Sequence, residues 1–101
     1  MSDLFTINKS PFEKPSLPSA LRFAPAQSGI LLLEDGVYAA TVGTVWETLI
    51  NQHTDKTFYV LQEDLQARGL ANKHLNGHIQ LVDYAGFVDL VVAYTKVQAW
   101  L

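Results

Sequence analysis

Cysteine is absent from this chain of 101 residues. Without a thiol, the chain forms no disulfide, offers no thiolate to a metal and carries no cysteine persulfide. Charged residues are also scarce, since they make up 17% of the sequence against about 25% in a typical soluble domain. So few charges leave apolar surface uncovered unless a partner buries it, and we therefore expect an oligomer.

Hydrophobic runs long enough to cross a membrane are absent as well. Apolar stretches such as Gly29 to Leu33 are far shorter than the roughly 18–20 residues that span a bilayer. Asp3, Lys9 and Pro11 interrupt the N-terminal segment, which argues against a secretory signal, and we expect a cytoplasmic protein. The net charge of −3 argues against direct nucleic-acid binding, which uses clustered Lys and Arg.

Short apolar runs alternate with segments of helical periodicity, a pattern typical of a parallel sheet built from βαβ units. We predict a single α/β domain over residues 1–101, with a mainly parallel five-stranded sheet and helices on both faces. The last strand is expected at an edge. The predicted strands are Leu4–Ile7, Ile30–Leu33, Phe58–Leu61, Ile79–Val82 and Val97–Leu101.

Helices are predicted between the strands, from capping residues and from apolar residues that recur on one face. The first helix is expected to be capped by Ser16, with Leu17, Leu21 and Phe23 facing inward. The last helix begins at Asp83 and extends to about Tyr94, and residues 70–78 form a loop. The apolar positions of this last helix are Phe87, Val88, Val91 and Val92.

Polar side chains follow the predicted strands, at the carboxyl edge where open α/β sheets place a ligand crevice. A pocket for a cation or phosphate is conceivable there. The residue types favour a different role for Asp35, Asp64 and Asp83, because a carboxylate at a helix start accepts backbone N–H bonds. The candidate pocket residues are Asn8, Lys9, Ser10 and Asp35.

Catalytic groups are not apparent. His74 and His78 are four residues apart, but Asn76-Gly77 interrupts any helix between them and no third metal ligand is near. No nucleophile-elbow motif, glycine-rich phosphate loop or nucleophile–base pair can be identified. We predict no catalytic residue, no metal site and no cofactor.

Aromatic residues are numerous, at 11% of the chain. Because Trp and Tyr are favoured at protein interfaces, we expect at least two aromatic side chains to lie in a subunit contact. Our candidate interface residues are Tyr84, Phe87 and Trp100. The other aromatic side chains considered for this contact are Tyr38, Trp46 and Tyr94.

Five ordered segments together resemble the DsrH/TusB family over nearly the whole chain, and this collinear set is more specific than any single motif. The segments are Asn8–Phe12, Leu31–Ala40, Tyr59–Leu61 with Asp64–Gly69, Asp83–Leu90, and Val97–Leu101.

The resemblance implies the small subunit of a cytoplasmic three-protein sulfur-relay complex, TusBCD or DsrEFH, arranged as a dimer of heterotrimers. TusC/DsrF-like and TusD/DsrE-like partners would share its fold, and the persulfide cysteine would lie mainly on the TusD/DsrE-like chain. A TusA-like carrier would supply the sulfur. The implied destination is the 2-thio group of wobble uridine in tRNA for the Tus branch, or dissimilatory sulfur oxidation for the Dsr branch.

Some DsrH-type members carry a cysteine in the first helix, near the position of Ala20 in this chain. Because no thiol is present here, no residue can be assigned as a sulfur acceptor. This absence favours a non-catalytic subunit of the tRNA-thiolating branch. Asn8–Glu13 and Tyr84–Leu90 resemble the sulfur-oxidising branch more closely, which remains the alternative. A receiver-like or cation-binding domain that uses the three aspartates is the alternative from another class.

Overall fold

The computed structural model describes residues 2–70 and 74–100, which form a five-stranded, all-parallel sheet. The predicted sheet is confirmed, with β5 at an edge. Residues 71–73 of the predicted loop and Leu101 of the predicted last strand lie outside the described residues. The strands, in the spatial order β4-β3-β2-β1-β5, are β1 (Asp3–Ile7), β2 (Gly29–Leu32), β3 (Thr57–Leu61), β4 (Ile79–Val82) and β5 (Lys96–Trp100).

The strand order determines where the helices lie. Strands β1 to β4 advance in one direction across the sheet, and the chain then returns past β1 to form β5. Since parallel crossovers are right-handed, the first three connections cover one face and the last helix covers the other. Helices on both faces are thus confirmed. They are α1 (Ser16–Phe23), a 3-10 helix (Glu34–Ala40), α2 (Val45–Asn51), α3 (Gln62–Ala67) and α4 (Tyr84–Ala93).

Side chains alternate along the strands and divide the core into two clusters. The larger cluster packs Phe5, Ile30 and Phe58 against the helices that connect β1 to β4. The smaller cluster consists of Leu4, Leu31 and Tyr59, against which α4 packs. All four residues of β2 are buried, as expected for a central parallel strand. Among the described residues, no helix is long and apolar enough to cross a membrane.

Helix α1 differs from its prediction in two details. Ser16 is the first helical residue rather than the cap, and no side chain caps this end. Phe23 is mostly exposed, although Leu17 and Leu21 are buried as predicted. Phe23 ends the helix above edge strand β5, where its ring centroid lies 5.0 Å from that of Trp100. Because β5 is an edge strand, no further strand or helix in the described part of the chain covers the outer side of the Phe23 ring.

Tyr94 anchors the C-terminal end of α4 to the sheet. Its hydroxyl oxygen lies 3.0 Å from that of Tyr59. A Cβ atom added at Gly29 would fall 2.5 Å from the Tyr94 hydroxyl, so glycine provides the room for this ring. Burial raises the pKa of Tyr94 well above its usual range, which keeps the phenol neutral.

Candidate functional site

A cavity of about 460 Å³ opens at the carboxyl edge of the sheet, where the candidate pocket was expected. Ser10 and Asp35 both line it, together with Phe12, Glu13 and Tyr38. Asn8 and Lys9 are not among its lining residues: Asn8 is partly buried and Lys9 is exposed. The structure therefore brings together two of the four predicted pocket residues.

The three aspartates at this edge all make structural bonds. Asp83 accepts a 2.8 Å hydrogen bond from the Gly86 N–H and caps α4 as predicted. Asp64 instead accepts from the N–H of Glu34, at the start of the neighbouring 3-10 helix. Asp35 lies 2.9 Å from Arg68 Nε and raises the pKa of that guanidinium. These engagements favour a structural role over cation binding.

No cluster suited to a metal ion is found in residues 2–70 and 74–100, where no three His, Asp or Glu side chains come together in a way that could hold one. His74 and His78 are both exposed at the surface. Neither forms part of the carboxyl-edge cavity.

Gly36 fixes the 3-10 helix against the end of β1. A Cβ atom at this position would lie 2.1 Å from the carbonyl oxygen of Ile7, a backbone atom that cannot swing away. The same carbonyl accepts a 3.0 Å hydrogen bond from Leu33 N–H. The close approach positions Asp35 and Tyr38 on the wall of the cavity, and it can be made only by glycine.

Replacing Gly36 by Ala should destabilise the protein, because the methyl group must displace backbone at a packed contact. We expect a loss of about 3 kcal/mol in the free energy of unfolding, measured by urea denaturation. Gly77→Ala is the matched control, since a Cβ atom there meets nothing within 4 Å. The control should change stability by less than about 0.5 kcal/mol, and equal losses in both variants would refute this role for Gly36.

Helix α4 exposes apolar side chains on the side that faces away from the sheet. Val88 is 60% exposed and Val92 is 80% exposed, with Tyr84 and Val91 also exposed. Asp89 is the one charged residue between Tyr84 and Ala93, and no residue of the helix is buried. A helix that is apolar all round is normally covered on every side. We call Tyr84, Val88, Val91 and Val92 the α4 face.

The sheet beside α4 is also incompletely covered. Val97 and Ala99 of β5 are in register with Leu4 and Thr6 of β1, and therefore point to the same side of the sheet as Leu4 and α4. Both β5 side chains are exposed. The apolar surface on this side thus includes part of the edge strand.

The three predicted interface residues occupy different places. Tyr84 lies on the α4 face, whereas Phe87 packs against the sheet with Leu90. Trp100 belongs to the opposite layer, with its ring centroid 5.8 Å from that of Phe5. The three valines of α4 are evident in the sequence, but the helix is apolar on both sides, so periodicity does not reveal which side faces outward.

These features define a small α/β protein with a doubly wound parallel sheet, no thiol and an apolar outer helix. The family of DsrH like proteins matches residues 9–97, and the chain belongs to this family. It is 37% identical over 98 residues to the protein TusB of Serratia proteamaculans (strain 568), covering 96% of this chain and 99% of that protein. The protein TusB of Yersinia pestis (strain Pestoides F) is 36% identical over the same length and coverage.

Solved structures support the same fold. The ychN protein of E. coli superposes with a TM-score of 0.83 at 15% identity, covering 99% of this chain and 100% of that chain. A Methanobacterium thermoautotrophicum protein of unknown function, MTH1491, gives a TM-score of 0.74 at 13% identity, with 96% and 97% covered. At these identities the likeness concerns the fold alone.

Proposed function

We propose that this protein is a non-catalytic subunit of a cytoplasmic sulfur-relay complex that serves 2-thiolation of wobble uridine in tRNA. Membership of the DsrH family supports the relay, and the TusB relatives that match nearly the whole chain support the tRNA branch. The absence of cysteine supports a non-catalytic role, because a persulfide needs a thiolate sulfur. The observation that carries the proposal is the exposed α4 face.

The α4 face docks a TusC/DsrF-like subunit. Its outward side chains are valines and a tyrosine, and Asp89 is the only charge on the helix, so water is a poor solvent for this surface. Covering a valine side chain contributes on the order of 1 kcal/mol. If the partner also presents an apolar helix or sheet face, the contact removes apolar surface of both chains from water, and both contribute to the binding free energy.

The chemistry lies on the other chains of the assembly. A TusD/DsrE-like subunit carries the persulfide cysteine, and a TusA-like carrier delivers sulfur to it. This chain completes a heterohexamer and touches neither a metal nor a nucleic acid. Its net charge of −3 fits a contact made with protein rather than with a phosphate backbone.

Val92→Asp should prevent assembly, because it places a charge at the most exposed side chain of the α4 face. We expect tagged wild-type chain, coexpressed with its TusC-like and TusD-like neighbours, to elute from a sizing column in a complex with both. The Val92→Asp variant should elute without them, and the amount of partner that elutes with the tagged chain should fall at least about tenfold.

Val45→Asp is the matched control for this experiment. Val45 is 70% exposed, but it begins α2 in the opposite layer of the molecule. We expect this variant to assemble as the wild type does. If Val92→Asp retains both partners, or if both variants lose them equally, docking through α4 is wrong.

Deleting the gene in its natural host should lower the 2-thiouridine content of tRNA, since the relay loses a subunit. The measurement is mass spectrometry of digested tRNA, with 4-thiouridine as an internal reference that should stay unchanged. Complementation should succeed with the wild-type gene and with Val45→Asp, and fail with Val92→Asp. Unchanged 2-thiouridine together with impaired sulfur oxidation would instead identify the DsrH-type function suggested by Asn8–Glu13.

A further inference from the structure

The outer edge of β5 is open to another strand. β5 ends the spatial order of the sheet, so among the described residues no strand bonds to its outer side. Its register with β1 runs without a bulge from Lys96 to Trp100, and it contains no proline. Natural proteins usually protect such an edge with a bulge, a proline or charged side chains. The one charge of β5 is Lys96, at the first residue of the strand.

Apolar side chains flank this edge on both faces of the sheet. On the α1 side, Phe23 is 63% exposed, and its ring centroid lies 5.0 Å from that of Trp100. On the α4 side, Val97 is 40% exposed and Ala99 is also exposed. A strand added to β5 would pair the outward backbone groups and cover apolar surface above and below the sheet. The edge is therefore suited to strand pairing.

The sequence of β5 is complementary to itself in one antiparallel register. When a two-fold axis passes beside Gln98, this residue faces its own copy, and Val97 faces Ala99 of the second chain on the same side of the sheet. Lys96 then faces Trp100 of the second chain, which places an ammonium group beside an indole ring twice in the contact. Because Lys96 is the only charged residue of the strand, no like charges are opposed.

Symmetry favours a second β5 over the other edge of the sheet as the occupant. If β5 paired with β4 of another copy, each added chain would leave a free β4 and a free β5, and the assembly would grow without closing. Two β5 strands related by a two-fold axis close after one contact. Such self-complementary contacts are the commonest form of homodimer.

We infer that β5 pairs with β5 of a second copy of this chain, antiparallel and in the register centred on Gln98. The two five-stranded sheets then join into one continuous sheet. Val97, Ala99 and Trp100 are covered at the contact. This contact uses the sheet edge and not the α4 face, so it is independent of the partner docking proposed above.

A single introduced thiol tests the register, because the wild-type chain has no cysteine. In the inferred dimer, the Cα atoms of the two Gln98 residues lie about 4.5–5.5 Å apart, within the range that a disulfide bridges. The Gln98→Cys chain, oxidised with copper phenanthroline, should therefore form a covalent dimer on a nonreducing gel. Lys96→Cys is the matched control on the same strand, since its two copies lie more than about 10 Å apart.

Sedimentation equilibrium of the isolated, full-length chain measures the strength of the contact. The wild type should show a monomer–dimer equilibrium. Val97→Asp should raise the dissociation constant at least about tenfold, because it places a carboxylate at the covered edge. Val45→Asp is the control, since Val45 is an exposed valine of α2, far from β5 in the sequence of layers, and it should sediment as the wild type does.

The inference is overturned if Gln98→Cys stays monomeric under oxidation, or if Lys96→Cys forms the covalent dimer as readily. A wild-type chain that shows no dimer also contradicts it. A dimer that Val97→Asp leaves unchanged would place the contact on another surface, such as the α4 face, and would equally overturn pairing through β5. Because no partner chain is present in these experiments, their failure is distinct from a failure of docking through α4.

Discussion

The right-handed crossover of parallel strands determines how the two faces of this sheet are covered. Because β1 to β4 advance in one direction, every helix that connects them must lie on one face. A single ten-residue helix, α4, is left for the other face of a five-stranded sheet. The topology therefore produces a well-filled layer on one side and an incompletely covered apolar layer on the other.

The scarcity of charge and the exposed apolar side chains of α4 both fit the proposal that a partner chain covers this helix. The acidic side chains at the carboxyl edge, which would supply ligands in a cation-binding domain, are used to hold loops together, as the Asp64 bond to Glu34 and the Asp35–Arg68 pair illustrate. The chain has no thiol, so under the proposed function the thiol chemistry is supplied by other chains.

Much of the fold could be predicted from sequence, because the strands are short apolar runs and Asp83 marks the start of α4 unambiguously. What escaped prediction depends on contacts between distant segments. Asn76 was read as a loop residue, yet it is buried and donates to Asn51 Oδ1 at 3.1 Å. The outward side of α4 could not be predicted either. Phe87 and Val88 are both apolar, and only the packing of Phe87 against the sheet shows that Val88 faces outward.

We expect another chain to cover the α4 face, and hydroxyl-radical footprinting can show whether it does. The oxidation rates of Tyr84 and Val92 should be compared between the isolated chain and the purified assembly, with Phe12, exposed in the opposite layer, as the internal reference. Tyr84 and Val92 should be strongly protected from oxidation in the assembly, and the oxidation rate of Phe12 should be unchanged. Equal oxidation of Tyr84 and Val92 in both samples would contradict this expectation.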